Sequence, residues 1–111
     1  MAVTWQHDPH CDHQAAFALA VAARRLMPGV RLYTYPIWGF RLPVDCAVET
    51  EIPQGFRLMI DEYLPIKRRA IAAHRSQVTR MIDDDPEGFS LDSAMLAYFD
   101  RPYETFLSVA G

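Results

Sequence analysis

The run from Asp12 to Met27, Asp-His-Gln-Ala-Ala-Phe-Ala-Leu-Ala-Val-Ala-Ala-Arg-Arg-Leu-Met, constrains the fold more than any other part of the chain. Alanine and leucine dominate it, nothing within it breaks a helix, and Pro28-Gly29 stops it. Phe17, Ala20, Val21 and Arg24 form one stripe, and Leu19, Ala23 and Leu26 another. So continuous a small apolar surface predicts close packing on a sheet. Arg24 and Arg25 then reach water at the C-terminal end, where cations suit the helix dipole.

Directly upstream lies Trp5-Gln6-His7-Asp8-Pro9-His10-Cys11-Asp12-His13, a crowd of imidazoles and carboxylates. A first turn held by Asp12 puts His13 at the mouth of the helix and His10 on the loop before it, so that both rings face one space. That is the geometry of half a metal site. The plainer alternative is a surface turn in which Asp12 is a simple N-cap.

The remaining pattern places this helix in an α/β chain. Ala2–Trp5 reads as a short strand, Val30–Tyr35 and Phe56–Asp61 as further strands, and residues 36–53, with Pro36, Pro43 and Pro53, as a long connecting loop. A second helix is expected from about Tyr63 to Thr79, its start fixed by Pro65, which fits only the first turn. Ser90 or Asp92 caps a short helix through Tyr98, and Pro102–Val109 closes as a strand. Alternation of strands and helices predicts a mainly parallel sheet.

At 111 residues, half of them hydrophobic and 23% charged, the composition is that of one modest folded domain, 1–111. A net charge of -3 gives no general attraction to phosphate backbones, which argues against nucleic acid as a partner. No apolar run approaches the roughly 18 residues of a spanning helix, and the N-terminus lacks a signal-peptide pattern. Two cysteines, Cys11 and Cys46, are too few for a disulfide framework and fit a reducing cytoplasm, although one bridge stays open. The acidic run Asp83–Gly88 lacks the alternating ligands of a calcium loop and reads as a solvated turn.

Three strings, in order, carry a resemblance. His10-x-Asp12-His13 at a helix start is followed by Lys67-x-x-Ala70-x-x-x-His74-x-Ser76-Gln77 on the second helix, then by Pro102-Tyr103-Glu104-x-Phe106 near the end. Together they resemble the PIG-L/LmbE-like family of zinc-dependent de-N-acetylases, over nearly the whole chain, as the C-terminal portion of that family's Rossmann-like three-layer α/β/α domain. The resemblance implies zinc, or another divalent metal, and a substrate that is an N-acetylated sugar or glycoconjugate. It makes His13 a zinc ligand and His10 the group that stabilises the oxyanion or protonates the leaving amine. Asp12 then orients one of those rings. The family's His-Pro-Asp-Asp-Glu type motif, source of two ligands and the catalytic base, has no match here. Pro9 stands where many relatives have glycine, and Cys11 where many have proline.

The chemistry asked of these residues is general. Catalytic zinc usually takes three protein ligands plus water. An amide further needs a donor at the oxyanion and an acid for the departing nitrogen, work suited to an imidazole, with its ordinary pKa of about 6.5. His10, Asp12 and His13 do not close a site alone; His7, Asp8 and Cys11 offer to complete a zinc shell within this chain, although adjacent residues seldom converge on one ion without strain. The expectation is therefore a partial deacetylase domain, inactive alone and completed by a missing N-terminal half or by a second copy of the chain. The alternative is a non-catalytic metal-binding or assembly module. Structural alternatives attach to the other motifs: His74 as a packed helix histidine, Ser76 and Gln77 as loop anchors, Lys67-Arg68-Arg69 with Arg75 and Arg80 as a solvated face. Tyr33, Tyr35, Trp38 and Phe40 serve either as core or as walls of a sugar pocket.

Overall fold

A computed structural model of the protein describes residues 1–41, 52–74 and 92–110. It is a mixed α/β structure with a four-stranded sheet, comprising β1 (Ala2–Thr4), β2 (Tyr33–Tyr35), β3 (Gly55–Met59) and β4 (Tyr103–Ser108) in the order β1-β2-β4-β3. Among the described residues three α-helices accompany it: α1 (Cys11–Arg25), α2 (Leu64–Ala73) and α3 (Ser93–Phe99). The expected α/β alternation is present, but the sheet is mixed. β1 and β2 are parallel, whereas β4 runs antiparallel to β2. A strand placed between others can enter from either direction, and the alternation of types along the sequence does not say which.

The chain falls into two compact units, Met1–Arg57 with Thr105–Gly111, and Leu58–Glu104. In the first, β1, α1 and β2 make one parallel crossover unit. Ala2 pairs with Tyr33, Val3 with Thr34 and Thr4 with Tyr35. Three residues are few for a strand, yet bonds continue past both ends: Tyr33 N–H donates to Met1 C=O at 2.9 Å, and Trp5 N–H to Tyr35 C=O at 3.0 Å. Tyr33, Tyr35, Phe56 and Phe106 form a chain of ring contacts at centroid separations of 5.2 to 6.2 Å. Tyr33–Phe56 and Tyr35–Phe106 meet edge to face and Phe56–Phe106 is stacked, contacts that add to what burial supplies.

Helix α1 starts and stops near where its sequence says, with Gly29 at φ +86 in the turn beyond it. Arg24 does not simply reach water. Its guanidinium donates to Val109 C=O at 3.3 Å and to Ala110 C=O at 3.1 Å, tying the helix end to the end of β4. The expected continuous burial does not hold either, since no residue of α1 is fully buried and Leu19 is 72% exposed. An all-round apolar helix needs two neighbours, and among the described residues it has the sheet on one side only. The fully buried apolar side chains there are Leu32, Trp38 and Met95, so the described core is small.

In the second unit a short 3-10 turn, Asp61–Tyr63, leads into α2, with Pro65 in the first turn as expected. His74 is an exposed C-cap (ψ 70), not a packed mid-helix residue. Asp92 caps α3, its carboxylate accepting from Met95 N–H at 2.9 Å. Arg68 makes a two-point ion pair with Asp100, and Lys67 reaches Glu104 at 3.3 Å. Part of the basic run on α2 is therefore paired to neighbouring carboxylates, with Arg68 and Asp100 both still exposed to solvent as expected for a solvated face. The expectations for Phe40's ring, Cys46, Arg75, Ser76, Gln77, Arg80 and the acidic run 83–88 concern groups outside those described. Among the described residues no helix is long and apolar enough to cross a membrane.

Candidate functional site

Parallel strands of a crossover unit present their carboxyl ends, and the loops that follow them, on one edge, which is where α/β proteins most often place ligand sites. Here the loops after β1 and β2 meet on that edge through Asp8. This residue is 0% exposed. Its carboxylate accepts from Ile37 N–H at 3.1 Å and from Gly39 N–H at 2.7 Å with one oxygen, and bonds His13 Nδ1 with the other. Its backbone is held as well: Asp8 N–H donates to Trp5 C=O at 3.1 Å, and Gln14 Nε2 donates to Asp8 C=O at 2.9 Å. A buried carboxylate without partners is very costly, and this one has three.

The second loop is shaped to reach it. Pro36 ends β2, and a 3-10 turn, Trp38–Arg41, follows. Gly39 lies against Trp5, and a β-carbon there would fall 2.8 Å from the indole ring. Only glycine lets the backbone come close enough to present its N–H to Asp8 while Trp5 fills the space behind. Trp38 is buried, so of the four aromatic candidates it serves as core. Trp5 Nε1 is buried with no hydrogen-bond partner among the described residues.

His13 sits on the first turn of α1, as the spacing predicts. Thr4 Oγ1 donates to His13 C=O at 3.0 Å and ties the strand end to the helix start. His10 is on the preceding loop, again as predicted, and its ring stacks on that of His13 with centroids 4.8 Å apart and an interplanar angle of 26°. The two imidazoles thus face one space. The N-cap, however, is His10 and not Asp12: Asp12 N–H donates to His10 Nδ1 at 3.1 Å. Asp12 lies exposed in the first turn, where its charge suits the helix dipole, and its carboxylate accepts from Cys11 Sγ at 3.7 Å. The ring-orienting carboxylate in this geometry is Asp8.

From the sequence Asp8 stands only as a member of a metal shell, and its role as the buried partner of His13 is missed. In the sequence it is one letter of a broken His-Asp-Pro string, and its partners Ile37 and Gly39 lie 29 and 31 residues further on. The signals available were a glycine after the proline that ends β2 and an Asp-Pro step before a histidine-rich helix start. Neither specifies a contact.

For metal the donor set is partial. His13 presents an imidazole whose other nitrogen is held by a buried carboxylate, the usual surrounding of a histidine ligand. One ligand atom each from His10, Cys11 and Asp12 also lie within 4.8 Å of one another. His10 Nδ1 is occupied as the cap, though, and Cys11 and Asp12 are exposed. Asp8 is fully engaged by hydrogen bonds, which removes it from the candidate shell. His13 fits zinc as one ligand, and a catalytic ion needs about two more from protein. No family profile, curated protein or solved structure matches the chain.

Proposed function

We propose that this chain supplies the histidine wall of a metal-dependent N-deacetylase that hydrolyses the acetamide of an N-acetylated sugar or glycoconjugate. The observation that carries the reading is the stacked His10–His13 pair at the carboxyl edge of β1 and β2. The ordered motifs running from His10 through Lys67 and His74 to Glu104 and Phe106 support it. The parallel β1-α1-β2 unit is compatible with the C-terminal part of a Rossmann-like three-layer domain, and we assign the chain to that architecture.

His13 holds one coordination position through the ring nitrogen away from Asp8. His10, stacked beside it, donates to the acetamide oxygen as that oxygen gains charge, or gives a proton to the departing nitrogen. Asp12 adds negative charge beside His10. Zinc, when bound, polarises the amide and supplies a water acidic enough to give hydroxide near neutral pH. The remaining ligands and the general base come from a segment bearing the first motif, contributed by another stretch of polypeptide.

Mixing the chain with zinc and a polypeptide carrying the His-Pro-Asp-Asp-Glu type motif tests this, with acetate release from an N-acetylglucosamine conjugate as the readout. The chain alone is expected to release little, and the mixture to release acetate. Strong activity from the chain alone, or none from a mixture shown to assemble, contradicts the reading. A second reading, a non-catalytic assembly module, is favoured by the exposed apolar side chains of α1 and its C-cap, Leu19 and Leu26, and of β3, Phe56, Leu58 and Met59. A folded, zinc-independent complex without acetate release would select it.

A further inference from the structure

We infer that the two stacked imidazoles are held in opposite tautomers, with Asp8 as the positioning residue that sets His13. The inference concerns the same site as the proposed deacetylase and rests on that reading only for what the tautomers are used for.

An ionised carboxylate only accepts hydrogen bonds. One oxygen of the Asp8 carboxylate already accepts from two main-chain N–H groups, Ile37 and Gly39, and the other faces His13 Nδ1. The contact is satisfied only if Nδ1 carries the proton. In a neutral ring that leaves Nε2 with its lone pair. His10 faces the reverse constraint. Its Nδ1 receives the N–H of Asp12, a donor that cannot change role, so this nitrogen must be bare and the proton of the neutral ring sits on Nε2. Two identical side chains, 4.8 Å apart and nearly parallel, thereby present different atoms: a lone pair from His13 and an N–H from His10. A ligand that is electron-poor on one side and carries an acceptor beside it, such as a cation with a bound carbonyl, matches the pair.

The two settings have different origins. That of His10 is local, made by the first turn of α1. That of His13 depends on a carboxylate whose position is fixed by a turn some 30 residues away, through Gly39 packed on Trp5. Substitution in that turn should therefore reach His13 and leave His10 as it was.

Ring-nitrogen NMR, by long-range ¹H–¹⁵N correlation on the metal-free chain above the ordinary histidine titration range, reads both tautomers directly. The expected result is Nδ1–H at His13 and Nε2–H at His10. Asp8→Asn turns an acceptor into an amide able to donate to Nδ1, so His13 should move to Nε2–H while His10 is unchanged. With the lone pair on Nε2 lost, Co²⁺ affinity measured by paramagnetic shifts at the ring should fall about 10- to 100-fold. Wild-type His13 found as Nε2–H overturns the inference, as does a folded Asp8→Asn chain that keeps Nδ1–H. Should that variant not fold, the wild-type spectrum still decides. If the wild-type tautomers are as inferred but Co²⁺ leaves both rings unmoved, the positioning role of Asp8 stands and the metal-dependent reading fails.

Discussion

At Gly39 a side chain would begin 2.8 Å from the indole of Trp5, so the residue cannot grow without moving either the ring or the turn that feeds Asp8. Gly39→Ala is expected to destabilise by about 1–3 kcal/mol, the usual cost of forcing an extra group into a packed site, read by equilibrium denaturation. An unchanged midpoint would mean the turn is free to shift. His10 and His13 were legible in the sequence because their spacing at a helix start leaves few geometries. Asp8 was not, because its role depends on main-chain groups far along the chain. The same lesson holds for Arg68 and Asp100, 32 residues apart. Hydrogen bonding from the Arg68 guanidinium holds the Asp100 carboxyl below the ordinary carboxylate value. Its pKa being depressed on folding, the pair's contribution is present above the ordinary carboxylate range and is lost as pH falls through the lowered value. The pair is exposed, so the contribution is small and falls with salt. In Arg68→Ala the carboxyl ¹³C titration midpoint of Asp100 should rise, and a midpoint that stays put would deny the coupling.

Elements with a local signal formed as their sequences require, and those that depend on neighbours departed. Helix α1 ends where Pro28-Gly29 demands, and α3 starts on the Asp92 cap. Asp92→Ala should cost about 0.5–2 kcal/mol, with amide exchange accelerated first in α3. Protection lost evenly over the chain would instead point to a wider role. The sheet shows the limit of such signals. Strand identities follow from alternation and β-branched content, but the antiparallel entry of β4 beside β2 is set by contacts such as Tyr35 with Phe106 that no local pattern states. His74 belongs to the same class: its spacing placed it within a helix face, and the helix ends one residue before it.

Among the described residues the imbalance is between a few fully buried apolar side chains and a larger set left in water, with Leu19 and Leu26 at 72% and 85% exposure. Exposed apolar surface of this extent favours association, whether with a segment that completes the domain or with a second copy. Leu19→Lys with Leu26→Lys should leave α1 folded by circular dichroism and shift size-exclusion elution toward the monomer. A chain already monomeric and unaffected by the pair would remove association from the account. The parallel crossover unit carries the stacked imidazole pair at its carboxyl edge. What it offers is a lone pair at His13 beside a proton at His10, the first of them the proposed metal ligand. Titrating Zn²⁺ into the ¹⁵N-labelled chain while following the ring nitrogens tests it most directly. Nε2 of His13 is expected to shift, the shift to be lost in His13→Ala, and Zn²⁺ still to bind in His10→Ala. Zinc binding that survives in His13→Ala with its affinity intact would contradict it.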